Sequence, residues 1–219
     1  EIFGIDIPIA LPETDEELVF DPEPMLFDAP EPPPSADTGV DESGEGGADR
    51  LYGGGHNDLI FAGSENDTSY GDDGNDSLAG GDGNDHLVFT DAASVAAADG
   101  GAGDDWLQLT APGLTIDLAG LVGRVADVEG LRLSNGSNDL SLALDAAGVA
   151  AVTDARHDLT VVLDNGDTLS IGGTWLETGR HTDLDGQQTV DYALFAGADT
   201  SVLPASVVHV QWLAAGSPG

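Results

Sequence analysis

Cysteine and lysine are both absent from this chain, and methionine occurs once. Without cysteine no disulfide can staple the fold, and the compartment must be argued from other features. Positive charge is nearly missing too: five arginines face 41 acidic residues, for a net charge of -36. Charge will not draw so acidic a surface to nucleic acid or to an anionic membrane. No apolar run approaches the roughly 20 residues of a membrane-spanning helix, so membrane insertion is not expected. The chain opens at Glu1 with neither Met nor a signal peptide, and it is expected to be a fragment or processed product. Catalytic signatures are lacking as well. His56, His86, His157, His181 and His209 are scattered with no HExxH between them, and no GxSxG elbow occurs. An enzyme is not expected.

What the chain has instead is a nine-residue period. From Gly44 to Val88 it reads GEGGADRLY, GGGHNDLIF, AGSENDTSY, GDDGNDSLA and GGDGNDHLV. Each copy carries an aspartate sixth: Asp49, Asp58, Asp67, Asp76 and Asp85. Glycines crowd the four positions before it, and Leu or Ile fills the eighth in four of the five. Six residues of turn and three of strand make half a rung of a flattened parallel coil, so residues eighteen apart stack on one edge. The turns need left-handed backbone that a side chain obstructs, hence the glycines. Such turns offer carbonyl oxygens beside one carboxylate each, with no nitrogen or sulfur ligand. That donor set suits a hard cation of flexible coordination, and calcium fits it better than magnesium or zinc.

Parity sorts the carboxylates into two columns, Asp49–Asp67–Asp85 and Asp58–Asp76. An irregular stretch, Phe89 to Asp99, precedes one more clean copy, GGAGDDWLQ, from Gly100. Counting the irregular stretch as one half-rung places Asp105 on the first column. Four sites between turns follow: 49/67, 67/85, 85/105 and 58/76, for about four calcium ions. One apolar side chain per nine residues is too little to offset the ordering of nine backbones. Metal binding is therefore expected to supply folding free energy. The third copy is the weakest, with Ala62, Glu65 and Ser69 in place of Gly, Gly and an apolar residue. Tyr52 and Tyr70, eighteen apart at the ninth position, should stack on the outer face.

This repeat resembles the calcium-binding β-roll of RTX proteins, which Gram-negative bacteria export by type I secretion. The resemblance implies a ligand set for each ion. Carbonyls of the second and fourth positions and the Asp of one turn join carbonyls of the first and third positions and the Asp of the next. Carried over, the first site would use Glu45, Gly47 and Asp49 with Ala62, Ser64 and Asp67. The 58/76 site would use Gly54, His56 and Asp58 with Gly71, Asp73 and Asp76. The 67/85 site would use Gly63, Glu65 and Asp67 with Gly80, Asp82 and Asp85. The 85/105 site would use Gly81, Gly83 and Asp85 with Gly100, Ala102 and Asp105. His56 and Glu65 depart from the usual fourth-position glycine.

The order of GGAGDDWLQL, LTIDL, VADVEGLRLSNGSNDLSLALDAAGV and LTVVLDNGDTLSIGGTW also resembles the C-terminal ends of large type I-secreted RTX adhesins. The expected fold is all-β. It is a right-handed parallel β-roll or β-solenoid with a C-terminal capping β region, preceded by an extended acidic Pro-rich segment. Three parts are expected: a linker or docking segment over 1–43, the calcium-binding roll over 44–108, and a solenoid continuation and cap over 109–219. The first carries thirteen acidic residues, no basic ones and eight of the eleven prolines, yet Ile5, Ile7 and Ile9 alternate as in a strand. The last is read as short strands with tight turns at Asn135-Gly136 and Asn165-Gly166 and a helical turn at Ala146 to Val152. By resemblance its end carries the export signal. Trp106, Trp175 and Trp212 are expected as core plugs, and His86 as a surface residue.

These readings point to the calcium-dependent folding and type I secretion module of a secreted, extracellular or cell-surface protein, most simply an adhesin. An exported protease or lipase with its catalytic domain upstream is an alternative, and so is a self-assembling surface or filament protein. The implied partners are the type I exporter and, through upstream domains, surface ligands or neighbouring subunits.

Overall fold

The computed structural model describes residues 41–133, 139–164, 166–182, 188–194 and 205–213. The expectations for residues 1–40, for the Asn135-Gly136 turn and for Asn165 lie outside these residues. So does the extreme C-terminus.

The repeat builds strands in chain order. They are β1 (Asp41–Ser43), β2 (Arg50–Tyr52), β3 (Leu59–Ser64), β4 (Thr68–Asp72), β5 (Asp76–Asp82), β6 (His86–Phe89), β7 (Val95–Ala102) and β8 (Trp106–Leu109). Odd-numbered strands form one parallel sheet and even-numbered strands another. Arg50 pairs with Thr68, Thr68 with His86 and Leu59 with Ser77, so eighteen residues return the chain to the same edge. Across the irregular stretch Ser77 pairs with Ala97 and His86 with Trp106. The stretch thus counts as one half-rung. One extra residue, Ala96, is absorbed in a bulge opposite Asp76/Ser77, whereas at Tyr70/Asp72 the unpaired residue is Gly71 of β4 itself.

The core of this half is thin. Leu51, Ile60, Leu78 and Leu87 are buried, one per half-rung, with Phe89 and Val95 at its C-terminal end. Between Leu51 and Leu87 the sheet places Ser69, also fully buried, whose Oγ takes no hydrogen bond. Outside, the Tyr52 and Tyr70 rings stack at 4.7 Å and 5°.

Beyond Leu109 the coil gains a third side. The elements are β9 (Thr115–Asp117), a 3-10 turn (Leu118–Leu121), β10 (Val125–Ala126), β11 (Gly130–Arg132), β12 (Ser141–Leu144), α1 (Ala146–Val152), β13 (Asp158–Asp164) and β14 (Thr168–Ile171). β15 (Leu176–Thr182), β16 (Gln188–Leu194) and β17 (Ser206–Leu213) complete the chain. Strands β9, β12 and β14 form the new parallel sheet. β10 ends the odd sheet, while β11, β13 and β17 continue the even one in parallel. Two antiparallel strands, β16 and then β15, close its edge. Helix α1 occupies the residues the sequence assigns to it. Asp145 caps it by accepting from the Gly148 amide, and the Asp117 carboxylate likewise accepts from Ala119 at the 3-10 turn. Leu118, Leu121, Leu131, Leu142, Val149, Leu159, Val161 and Val210 fill a continuous apolar core here.

Two expectations need correction. Trp175 and Trp212 do pack, partly buried, against this core, but Trp106 does not. In β8 it is Leu107 and Leu109 that point inward, so Trp106 stands on the outer face. There it fills the space above Gly130, where a Cβ would meet the indole at 2.3 Å, and Arg132 lies 5.4 Å from its ring. His86 is likewise half-buried rather than a surface residue. Burial, with Arg132 nearby, holds its pKa below the ordinary histidine value, opposed by a bond to Gln108.

Ser69 supplies a test. A buried hydroxyl without a partner costs about 1–3 kcal/mol. Ser69→Ala should therefore raise the thermal midpoint of the calcium-loaded chain; an unchanged or lower midpoint by calorimetry would show that the hydroxyl is satisfied in solution.

Candidate metal centre

The turns of the roll share one backbone conformation, except that Glu45 in the second position of the first turn is not left-handed. Second positions are left-handed at Gly54 (φ 89), Gly63 (117), Asp72 (61), Gly81 (113) and Gly101 (95). Fourth positions are left-handed at Gly47 (φ 117), His56 (77), Glu65 (80), Gly74 (149), Gly83 (139) and Gly103 (158). His56 and Glu65 thus adopt the glycine conformation despite their side chains, at a cost of about 1–2 kcal/mol each. Asp72, which the sequence reading passed over, does so too.

Left-handed backbone turns carbonyls out of the strand plane and into the gaps between rungs. A Cβ on Gly81 would meet the carbonyl of Gly63, and one on Gly83 that of Glu65. The carbonyls of Glu45, His56, Gly81 and Gly83 face Gly63, Gly74, Gly101 and Gly103 in the same way. From the opposite side the first-position carbonyls of Ala62, Gly71 and Gly100 face back toward Gly44, Gly53 and Gly80. Gly54 and Ala102 are engaged otherwise. Their carbonyls accept from the Asp73 and Gly83 amides at 2.9 and 2.8 Å.

The aspartates form two ladders. The amides of Asp49, Asp67 and Asp85 donate to Oδ1 of Asp67, Asp85 and Asp105 at 2.7, 2.8 and 2.7 Å. In the other column the Asp58 amide donates to Asp76 Oδ1 at 3.0 Å. The four pairs read from the nine-residue spacing are thus neighbours in space. Asp58, Asp67, Asp76, Asp85 and Asp105 are buried, while Asp49 on the first rung is half-buried. Beside them run asparagine ladders of opposite polarity. Asn75 donates to Asn57 Oδ1, Asn84 to Asn66 Oδ1 and Asp104 to Asn84 Oδ1, at 3.0, 2.8 and 3.0 Å. The fifth-position Asn was visible in four copies, and its role went unread because only its neighbour carries charge.

The second oxygens decide what the site can hold. Oδ2 of Asp67, Asp76, Asp85 and Asp105 is buried without a hydrogen-bond partner. Buried carboxylate oxygens left bare are strongly disfavoured unless a cation meets them. Among the described residues no three His, Cys, Asp or Glu side chains converge on one point. The donors are carboxylate pairs and turn carbonyls, an all-oxygen set suited to calcium.

Residues 43–69 and 61–89 match the RTX calcium-binding nonapeptide repeat, in four copies. This segment is an RTX calcium-binding repeat region. No curated protein and no solved structure matches the chain. RTX repeats bind calcium, and the number present fits about four ions. Asp49, Asp58, Asp67, Asp76, Asp85 and Asp105, with the facing carbonyls, are the residues that would hold them. The bound ion would supply positive charge between rungs; the chain supplies the left-handed turns, the spacing and the buried oxygens.

The column ends are built from residues outside the repeat. The Asp105 amide donates to Glu129 Oε2 at 3.0 Å, and the Asp76 amide to the carbonyl of Ser94 at 2.8 Å. Arg124 clamps the irregular turn there, donating to the carbonyls of Ala92 and Val95 at 3.0 and 2.8 Å. Sequence reasoning missed Glu129 and Arg124 because neither lies in register with a repeat.

Burial raises the Asp76 and Asp105 carboxyls from 3.8 to about 6, opposed by the ladder amides and reinforced by the neighbouring carboxylates. Asp67 and Asp85 are raised for the same reasons. A carboxyl whose pKa is higher folded than unfolded binds its proton more tightly in the fold. The metal-free fold is accordingly favoured at low pH and loses that stability as pH rises from about 4 to about 6. Protons and calcium compete for the same oxygens. Chelated chain should therefore show more β-signal at pH 4.5 than at 7.5. A pH-independent signal would contradict the burial of these groups. Relief of left-handed strain gives a second expectation: Glu65→Gly should stabilise the calcium form by about 1 kcal/mol, read as a lower calcium midpoint.

Proposed function

We propose that this chain is the calcium-dependent folding and export module of a type I-secreted RTX protein, a cell-surface adhesin. The observation that carries the reading is the buried carboxylate ladder, with second oxygens that take no partner until a cation arrives. Where free calcium is scarce, the columns repel and the thin core cannot hold the rungs. The chain then stays extended enough to be exported. Outside the cell, calcium near 10⁻³ M fills sites whose affinity need only match extracellular modules, about 10⁻⁴–10⁻³ M. Folding then favours onward export. The adhesin assignment rests on the order of segments after Gly100, and the exporter and surface ligands are its proposed partners. Catalysis has no part in this reading, since carboxylate pairing across rungs is what calcium sites demand and so says nothing of acid–base chemistry.

Circular dichroism during a calcium titration from a chelated start tests the mechanism. The β-signal of the repeat half should appear with calcium. Asp76→Ala should raise the midpoint about tenfold or more, at least what loss of a ligand's supporting partner costs. Glu177→Ala, at an exposed site far from the ladders in β15, should leave it unchanged. Full sheet content in excess chelator, or equal effects of the two substitutions, would overturn the proposal.

A further inference from the structure

The first carboxylate column does not stop where the repeats do. Glu129 accepts from the Asp105 amide the same bond that each earlier aspartate amide makes to the carboxylate one rung on. Asp105 is fully buried, its Oδ1 taken by the Asp85 amide and its Oδ2 without a partner. That free oxygen is aimed forward. It lies 2.7 Å from where a Cβ on Gly100 would stand, and the Asp127 carbonyl, one rung on, crowds the same point. The same pairing, a turn's own carboxylate with the next rung's carbonyl, converges on Gly44, Gly53 and Gly80. Gly101 and Gly103 keep the left-handed backbone of the second and fourth positions.

The facing turn is shorter. Ala98 pairs with Val125 before it and Trp106 with Gly130 after it, so the pairing offset falls from 27 to 24. Asp127, Val128 and Glu129 replace the six residues of a repeat turn, and the longer glutamate reaches the place an aspartate holds elsewhere. The other column closes differently, on a neutral carbonyl with the Arg124 guanidinium built in. At Glu129 no guanidinium makes a hydrogen bond among the described residues, although Arg156 lines the same cavity. Arg156 bonds Asp104 and Asp154 at the exposed rim. The remaining Glu129 oxygen accepts from the Asp154 amide at 3.4 Å. A cavity of about 230 Å³, lined in part by Asp104, Trp106 and Glu129, leaves room for completing water.

We infer that a further calcium ion, beyond those between repeat turns, sits between the Gly100–Asp105 turn and Asp127–Glu129. Asp105 Oδ2, Glu129 Oε2 and the Asp127 carbonyl hold it, with the carbonyls of Gly101 and Gly103. It ties the last RTX turn to the apolar half of the molecule. The inference rests on the reading that the repeats bind calcium, and its test separates the two.

Native mass spectrometry of the full chain in millimolar calcium would count ions in the parent and in Glu129→Gln. Gln keeps an acceptor for the Asp105 amide and withdraws the charge. The variant should carry one ion fewer, with calcium-induced circular dichroism of the same form. Equal counts would overturn the additional site and leave the repeats untouched; a parent that binds no calcium would overturn both. If Glu129→Gln does not fold, Glu129→Asp decides. Weakening of one binding step by about tenfold, the order of a misplaced ligand, supports the site, and an unchanged isotherm overturns it.

Discussion

Buried negative charge, stacked at the spacing of one rung, is the condition under which this molecule must fold. Taking a carboxylate out of water costs several kcal/mol even after relaxation, and each column repeats that cost beside a like charge. The amide ladder meets one oxygen of each group. It leaves Oδ2 of Asp67, Asp76, Asp85 and Asp105 bare. The other features of the turns follow from bringing a cation to those oxygens. Left-handed second and fourth positions aim carbonyls into the gaps, and first-position glycines leave room for the carboxylate. At Gly53 a Cβ would stand 2.5 Å from the Asp58 carboxylate. Packing is secondary in this half, which explains how it tolerates a buried serine in the middle of its core column.

The other half answers to a different force. Once the coil acquires its third sheet, apolar side chains face one another from three directions instead of two, and the core fills with Leu and Val. Turns that were glycine and aspartate become a capped 3-10 turn and a capped helix. Hydrophobic burial here needs no metal. The two halves share the even-numbered sheet, in which β8 of the repeat pairs directly with β11. An ordered rung therefore presents the next one with a preformed edge, and growth of the roll from the apolar half toward β1 avoids nucleating each rung anew.

How far the sequence disclosed this differs from feature to feature, for physical reasons. A strict nine-residue period fixes the register, so the carboxylate columns and the Tyr52–Tyr70 stack could be read directly. Even the two-residue excess of the irregular stretch did not hide Asp105, because a strand pair can absorb a bulge without changing edge. The alternation in WLQL also pointed Trp106 outward. Expecting it inside gave the residue's size more weight than its parity. The third sheet was not legible, since its strands are three or four residues long and their pairing is set by partners about 26 positions away. Glu129 and Arg124 were invisible for a related reason, lying where the period has already broken.

Those two residues show what breaking the period accomplishes. A stack of identical charged turns has no natural end, because its last turn always faces a neighbour it lacks. One column here ends on a neutral carbonyl, its last turn held by a guanidinium hydrogen-bonded to two carbonyls of that turn. The other ends by extending itself, replacing an aspartate with a glutamate on a shortened turn so that the ladder crosses into the apolar half. In the first case the chain's own arginine holds the closing turn, while Asp76 Oδ2 beneath it still awaits a cation. In the second the charge stays uncompensated by any side chain of the turn. Placing the calcium-sensitive closure beside the sheet that joins the halves lets one ion's binding free energy act on both.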